Sequence, residues 1–136
     1  MNKFGVVDRK DRQRNSQILL VEDENIVAMD IKKMIEELGF QVCGIASSGE
    51  VAVRMVEEKS TDLVLMDIGL KGKMDGIETF IFIQRRFSIP GIYLTSYNDG
   101  RTLNRAMETK PQGILIKPCG KFEMKQSIEN ALGKGK

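Results

Sequence analysis

Four apolar residues, Leu63-Val64-Leu65-Met66, run without transition into Asp67, and such a carboxylate is one of the side chains that can attack phosphorus and carry an acyl phosphate. A second run, Gln17-Ile18-Leu19-Leu20-Val21, meets three consecutive acids, Glu22-Asp23-Glu24. Like charges so close together are costly to hold unless a cation joins them. Donors made only of oxygen favour a hard ion, so the cluster points to Mg2+ or Mn2+. Two more runs end in Thr95 and in Lys117, a hydroxyl and an ammonium that could complete the circuit around a phosphoryl group.

Composition removes several other chemistries. The 136 residues contain no histidine, so neither a His-based triad, nor a phosphohistidine donor, nor the common His-containing zinc sites can be built. Cys43 and Cys119 lie far apart with no CxxC spacing, which argues against a metal or redox pair. Hydrophobic residues at 41% and charged residues at 29% are values of a globular chain. No apolar run approaches the roughly 18 residues of a membrane span, and no signal-peptide core is present, so a cytoplasmic protein is expected. The net charge is +2, and five of the 21 basic residues fall within residues 1–16, leaving a nearly neutral body without a nucleic-acid footprint.

The elements that must position these groups follow from periodicity. Continuous apolar runs read as strands buried on both faces, and residues 17–21, 41–46, 63–67, 91–94 and 113–116 fit that description. A helix over about 24–38 carries Val27, Ile31, Met34, Ile35 and Leu38 on one face and is closed by Gly39. Ser47 and Glu50 offer a capping box for a helix over 49–58. Asp75 with Glu78 caps a third helix, which carries Ile77, Phe80 and Ile81 and is ended by Pro90. Asn98, Asp99 and Gly100 introduce a short helix to about Thr109, and a last one runs over 121–132.

The order is βα repeated five times. Right-handed crossovers then give an α/β, doubly wound parallel five-stranded sheet, and of the two common strand orders the flavodoxin-like 2-1-3-4-5 suits five strands. Its switch point lies between strands one and three, which brings Glu22 and Asp23 beside Asp67. Strands two and five lie at opposite edges, four spacings of about 4.8 Å apart. That exceeds the roughly 7 Å limit for a disulfide, so both cysteines are expected as free thiols. Residues 1–16 read as a flexible arm, 17–133 as the domain and 134–136 as a disordered tail.

Plainer roles exist for each group. Asp67 could be a strand-end turn residue, Glu22 and Glu24 could serve the dipole of the first helix, and Lys117 could be an ordinary surface lysine. Four strand ends delivering matched chemistry to one edge favour the site instead.

At these residues the sequence resembles the receiver domains of two-component response regulators, over about residues 18–132. The motifs that carry the likeness are Val21-Glu22-Asp23-Glu24, Met66-Asp67-Ile68, Met74-Asp75-Gly76, Leu94-Thr95-Ser96 and Lys117-Pro118. The resemblance implies that Asp67 accepts a phosphoryl group from a sensor histidine kinase or phosphotransfer protein. It implies Mg2+ held by Asp23 directly, by Glu22 through water, by Asp67 and by the backbone carbonyl of Gly69. Thr95 would bond the phosphoryl oxygen, and Lys117 would pair with the carboxylate at rest and with phosphate afterwards. The output would be a shift of the face formed by the fourth helix, fifth strand and fifth helix, where two copies could also pair.

Two departures from the family pattern bear on that output. An aromatic residue usual three places before the lysine is replaced by Ile114, so a switch would use Tyr97 instead or be weak; Cys119 stands where phenylalanine is common. Gly69 and Tyr97 would together control water access to the phosphoryl group.

Three other functions fit parts of the pattern. A phosphohydrolase of the haloacid-dehalogenase type needs a second Asp two places after the nucleophile, where this chain has Gly69. A flavodoxin-type cofactor carrier would need a phosphate loop where Glu22-Asp23-Glu24 stands. A receiver-like interaction module that is never phosphorylated has its best support in Ile114.

Overall fold

The five apolar runs form five parallel strands of one sheet, β1 (Gln17–Val21), β2 (Gln41–Ala46), β3 (Leu63–Asp67), β4 (Gly91–Thr95) and β5 (Gly113–Ile116), in the order β2-β1-β3-β4-β5. Between and after them lie α1 (Asn25–Glu37), α2 (Gly49–Glu58), α3 (Gly76–Phe87), α4 (Gly100–Glu108) and α5 (Lys121–Gly133). This computed structural model describes residues 15–96 and 99–133. All but Asn15 and Ser16 of the expected arm, the tail over 134–136, and Tyr97 and Asn98 lie outside the described residues.

Strand alternation divides the core in two. Ile18, Leu20, Leu63, Leu65, Ile92 and Leu94 face α1 and α5, where Ile31, Ile35, Met124 and Ile128 meet them. Leu19, Val21, Val64, Met66 and Tyr93 face the other side, against Ala52, Val56, Ile77, Phe80, Ile83 and Ala106. Every residue of β3 is buried, as a central strand covered on both faces requires. Burying each of its large side chains stabilises the fold by on the order of 2 kcal/mol. Cys43 and Cys119 are free, one on each edge strand or the turn beyond it.

Helix ends differ from the expected ones in two places. Ser48, not Ser47, caps α2, its hydroxyl accepting from the Val51 amide at 3.2 Å. Glu50 is therefore one position too early to reach back to the cap, and its Oε1 is buried without a hydrogen-bond partner among the described residues. Ser88, in the left-handed region at φ 55°, ends α3 before Pro90 is reached. The Asp75–Glu78 pair forms the capping box that its spacing predicts, with bonds of 2.8 and 2.9 Å. Gly39, at φ 95°, closes α1 in the left-handed conformation that glycine adopts without steric cost.

Candidate functional site

Parallel pairing sets the strand ends side by side. Val21 is in register with Met66, and Asp67 with Leu94. The residues that follow β1, end β3 and β4, and follow β5 thus emerge at one edge of the sheet, where ligands of open α/β folds bind. Asp67 shares the parity of Leu63 and Leu65 and so belongs to the α1/α5 side of its strand.

Carboxylate oxygens of Glu22, Asp23 and Asp67 all lie within 4.8 Å of one another. Glu22 and Asp67 are buried, and Asp23 is half-buried at the rim. An all-oxygen triad of this kind matches the donor preference of a hard divalent ion. Asp67 Oδ1 accepts from the Gly69 amide at 3.0 Å. Burial pushes the Asp67 carboxyl up to about 6, assisted by the charges of Glu22 and Asp23, while the Gly69 amide and Lys117 pull against that rise.

Lys117 supplies the counter-charge. Its Nζ donates to Glu22 Oε1 at 2.8 Å and lies 3.6 Å from Asp67 Oδ1. The second Glu22 oxygen accepts from the Glu24 amide at 3.1 Å, at the cap position of α1. Burial works against the Lys117 charge, but the Glu22 hydrogen bond and the Asp67 and Glu22 charges outweigh it and raise its pKa. The Lys117-Pro118 peptide bond is cis, and the Lys117 amide donates to the Thr95 carbonyl at 2.7 Å.

Thr95, fully buried, ends β4 one strand away from Asp67. Ile114 is half-buried and packs with the α2–α4 side of the core. The shielding role expected of Tyr97 falls outside the described residues.

Sequence reasoning did not single out Gly76, which has a structural duty at the site. A Cβ there would stand 2.1 Å from the Asp67 carbonyl oxygen, so α3 can begin against the Asp67 backbone only with glycine at its first position. The Met74-Asp75-Gly76 string carried the signal. Its meaning needed the fold.

Comparison with known proteins adds a family. Residues 18–129 match the response regulator receiver domain family. Among curated proteins the chain is similar to the transcriptional regulatory protein PdtaR of Mycobacterium tuberculosis, 30% identical over 87% of this chain and 57% of that protein. It is also similar to the transcriptional regulatory protein LiaR of Bacillus subtilis, 34% identical over 85% of this chain and 55% of that one. The chain therefore spans little more than half the length of these relatives. Among solved structures, the signal receiver domain of a modulated diguanylate cyclase from Desulfovibrio desulfuricans superposes with a TM-score of 0.84 at 36% identity, over 88% of this chain and 95% of that one.

Proposed function

Because this chain belongs to the response regulator receiver family, we propose that it is a phosphorylatable switch whose acceptor is Asp67, charged by a phosphohistidine on a histidine kinase or phosphotransfer protein. An Asp67 oxygen attacks phosphorus, the P–N bond of the donor breaks, and the departing imidazole takes up a proton. Lys117 balances the charge that gathers on the phosphoryl oxygens, and the Thr95 hydroxyl donates to one of them. Such a transfer asks mainly for positioning and neutralisation, so few side chains suffice. With its carboxyl at about 6, Asp67 is still mostly ionised above neutral pH and able to attack.

Glu22, Asp23 and Asp67, with the Gly69 carbonyl, would hold Mg2+. When bound, such an ion supplies positive charge that stabilises a transferring phosphoryl group. The new charge on Asp67 then biases the face made by α4, β5 and α5 toward a second arrangement.

The observation that carries this reading is the position of Lys117, whose ammonium reaches 2.8 Å to Glu22 across two intervening strands and lies 3.6 Å from Asp67 across one. An ordinary surface lysine has no reason to sit between two buried carboxylates. Hydrolytic turnover of the haloacid-dehalogenase type is disfavoured by Gly69, which has no side chain to act as acid or base.

The test is incubation with acetyl phosphate and Mg2+, followed by intact mass. The expected result is the added mass of one phosphoryl group, lost in Asp67→Ala and in EDTA. An unmodified wild type would leave an interaction module that binds partners without phosphorylation.

A further inference from the structure

Helix α4 is held differently from the other four. Ala106 is its one buried residue, against three to five in each of the others. Met107 is 59% exposed, and a groove of about 400 Å³ separates α4 from α3. With so little apolar surface to fix it, the place of α4 depends on polar contacts.

One of those contacts is half-buried and directional. Thr109, the residue that follows α4, donates its hydroxyl to the Ala106 carbonyl at 2.6 Å. A threonine hydroxyl has a single proton, so the 2.9 Å contact between Thr109 Oγ1 and the Tyr93 hydroxyl must be donated by tyrosine. Tyr93 is fully buried in β4, two residues before Thr95, with its ring 4.8 Å from that of Phe80. The ring is fixed by packing and the hydroxyl is aimed at the end of α4. Burial accordingly pushes the phenol up to about 12. A second polar tie, Arg105 to Asp75 at 3.7 Å, joins two side chains that are well exposed and contributes little.

We propose that the relay from Tyr93 through Thr109 to the Ala106 carbonyl is a latch that fixes the resting place of α4 and so sets how readily the domain leaves its resting arrangement. The latch stands on geometry alone; its effect on switching rests on the reading of Asp67 as phosphoacceptor. A contact present only at rest must break when α4 moves. Removing it therefore favours the shifted arrangement and, by linkage, tightens whatever binds that arrangement preferentially.

The test uses the full chain and two measurements. Tyr93→Phe keeps the ring and deletes the hydroxyl; hydrogen exchange across α4 should quicken roughly three- to tenfold, with β1 and β3 unchanged. Thr109→Val, which strands the tyrosine hydroxyl, should quicken it further, and Thr109→Ser should restore the wild-type rate. Beryllium fluoride with Mg2+, a stand-in for the phosphoryl group, should bind Tyr93→Phe more tightly than wild type by up to the same factor. Wild-type exchange in α4 of Tyr93→Phe would overturn the latch. Quickened exchange with unchanged beryllium fluoride affinity would overturn its link to switching. If wild type binds no beryllium fluoride, the phosphoacceptor reading fails with it, and the exchange rates still decide the latch.

Discussion

Lys117 donates its short hydrogen bond to Glu22, at 2.8 Å, and not to Asp67, which lies 3.6 Å away. The Glu22 side chain is wholly withdrawn from solvent, whereas that of Asp67 retains 9% exposure. A carboxylate with no water around it has the greater need of a cation, so the lysine settles there. Asp67 is thereby left with its negative charge only partly compensated.

Removing the lysine should expose that dependence. Lys117→Met strands two buried carboxylates, and the expected loss is about 2 kcal/mol or more, tempered because the lysine is partly solvated. Urea unfolding in EDTA measures it. Lys117→Met with wild-type stability would mean that the Glu22 pair has no structural weight.

Asp67 should make stability depend on pH in the direction opposite to most carboxylates. Its carboxyl titrates at about 6 in the fold against the ordinary 3.8, so between those values the folded state binds more protons than the unfolded one. Stability then falls as pH rises through that window. Asp67→Asn removes the effect and, without metal, should be the more stable protein at pH 8 by on the order of 1–3 kcal/mol, with the gap closing near pH 4. Identical unfolding curves at pH 8 would contradict the burial penalty.

A divalent ion should reverse that order. Mg2+ at a hundred times its dissociation constant adds about 2.7 kcal/mol to a protein that binds it only when folded. Thermal melting of wild type should rise with Mg2+ and return with EDTA, while Asp23→Asn and Asp67→Asn should respond far less. A shift of equal size in all three proteins would place the ion somewhere else.

Gly76→Ala tests how Asp67 is seated. The added methyl meets the Asp67 carbonyl oxygen and the Ile68 backbone, at 2.1 and 2.8 Å, neither of which can swing aside as a side chain would. A loss of roughly 2 kcal/mol or more is expected, together with slower modification by acetyl phosphate. An alanine accepted at no cost would show that the turn after β3 is softer than its contacts imply.

What could be foreseen was set by local pattern. Five apolar runs, the acids after the first and the single polar residues closing the others sufficed for strand order and for the convergence of Glu22, Asp23, Asp67, Thr95 and Lys117 at one edge. The Asp75–Glu78 cap was equally legible, because both partners lie in one turn. Contacts decided across the fold were not. Whether Lys117 prefers Glu22 or Asp67 depends on relative burial, and the partner of Tyr93 depends on how α4 lies over β4. At α2 either of two adjacent serines could cap, and one position changed the fate of Glu50.

Strand register has a consequence for how such a molecule can diversify. The side chains of the candidate site hang from neighbouring strand ends whose spacing is set by main-chain hydrogen bonds, while the outward sides of the helices take no part in that ruler. Substitutions on those outer surfaces can change what the protein binds there and leave the distances between the candidate-site atoms as they are.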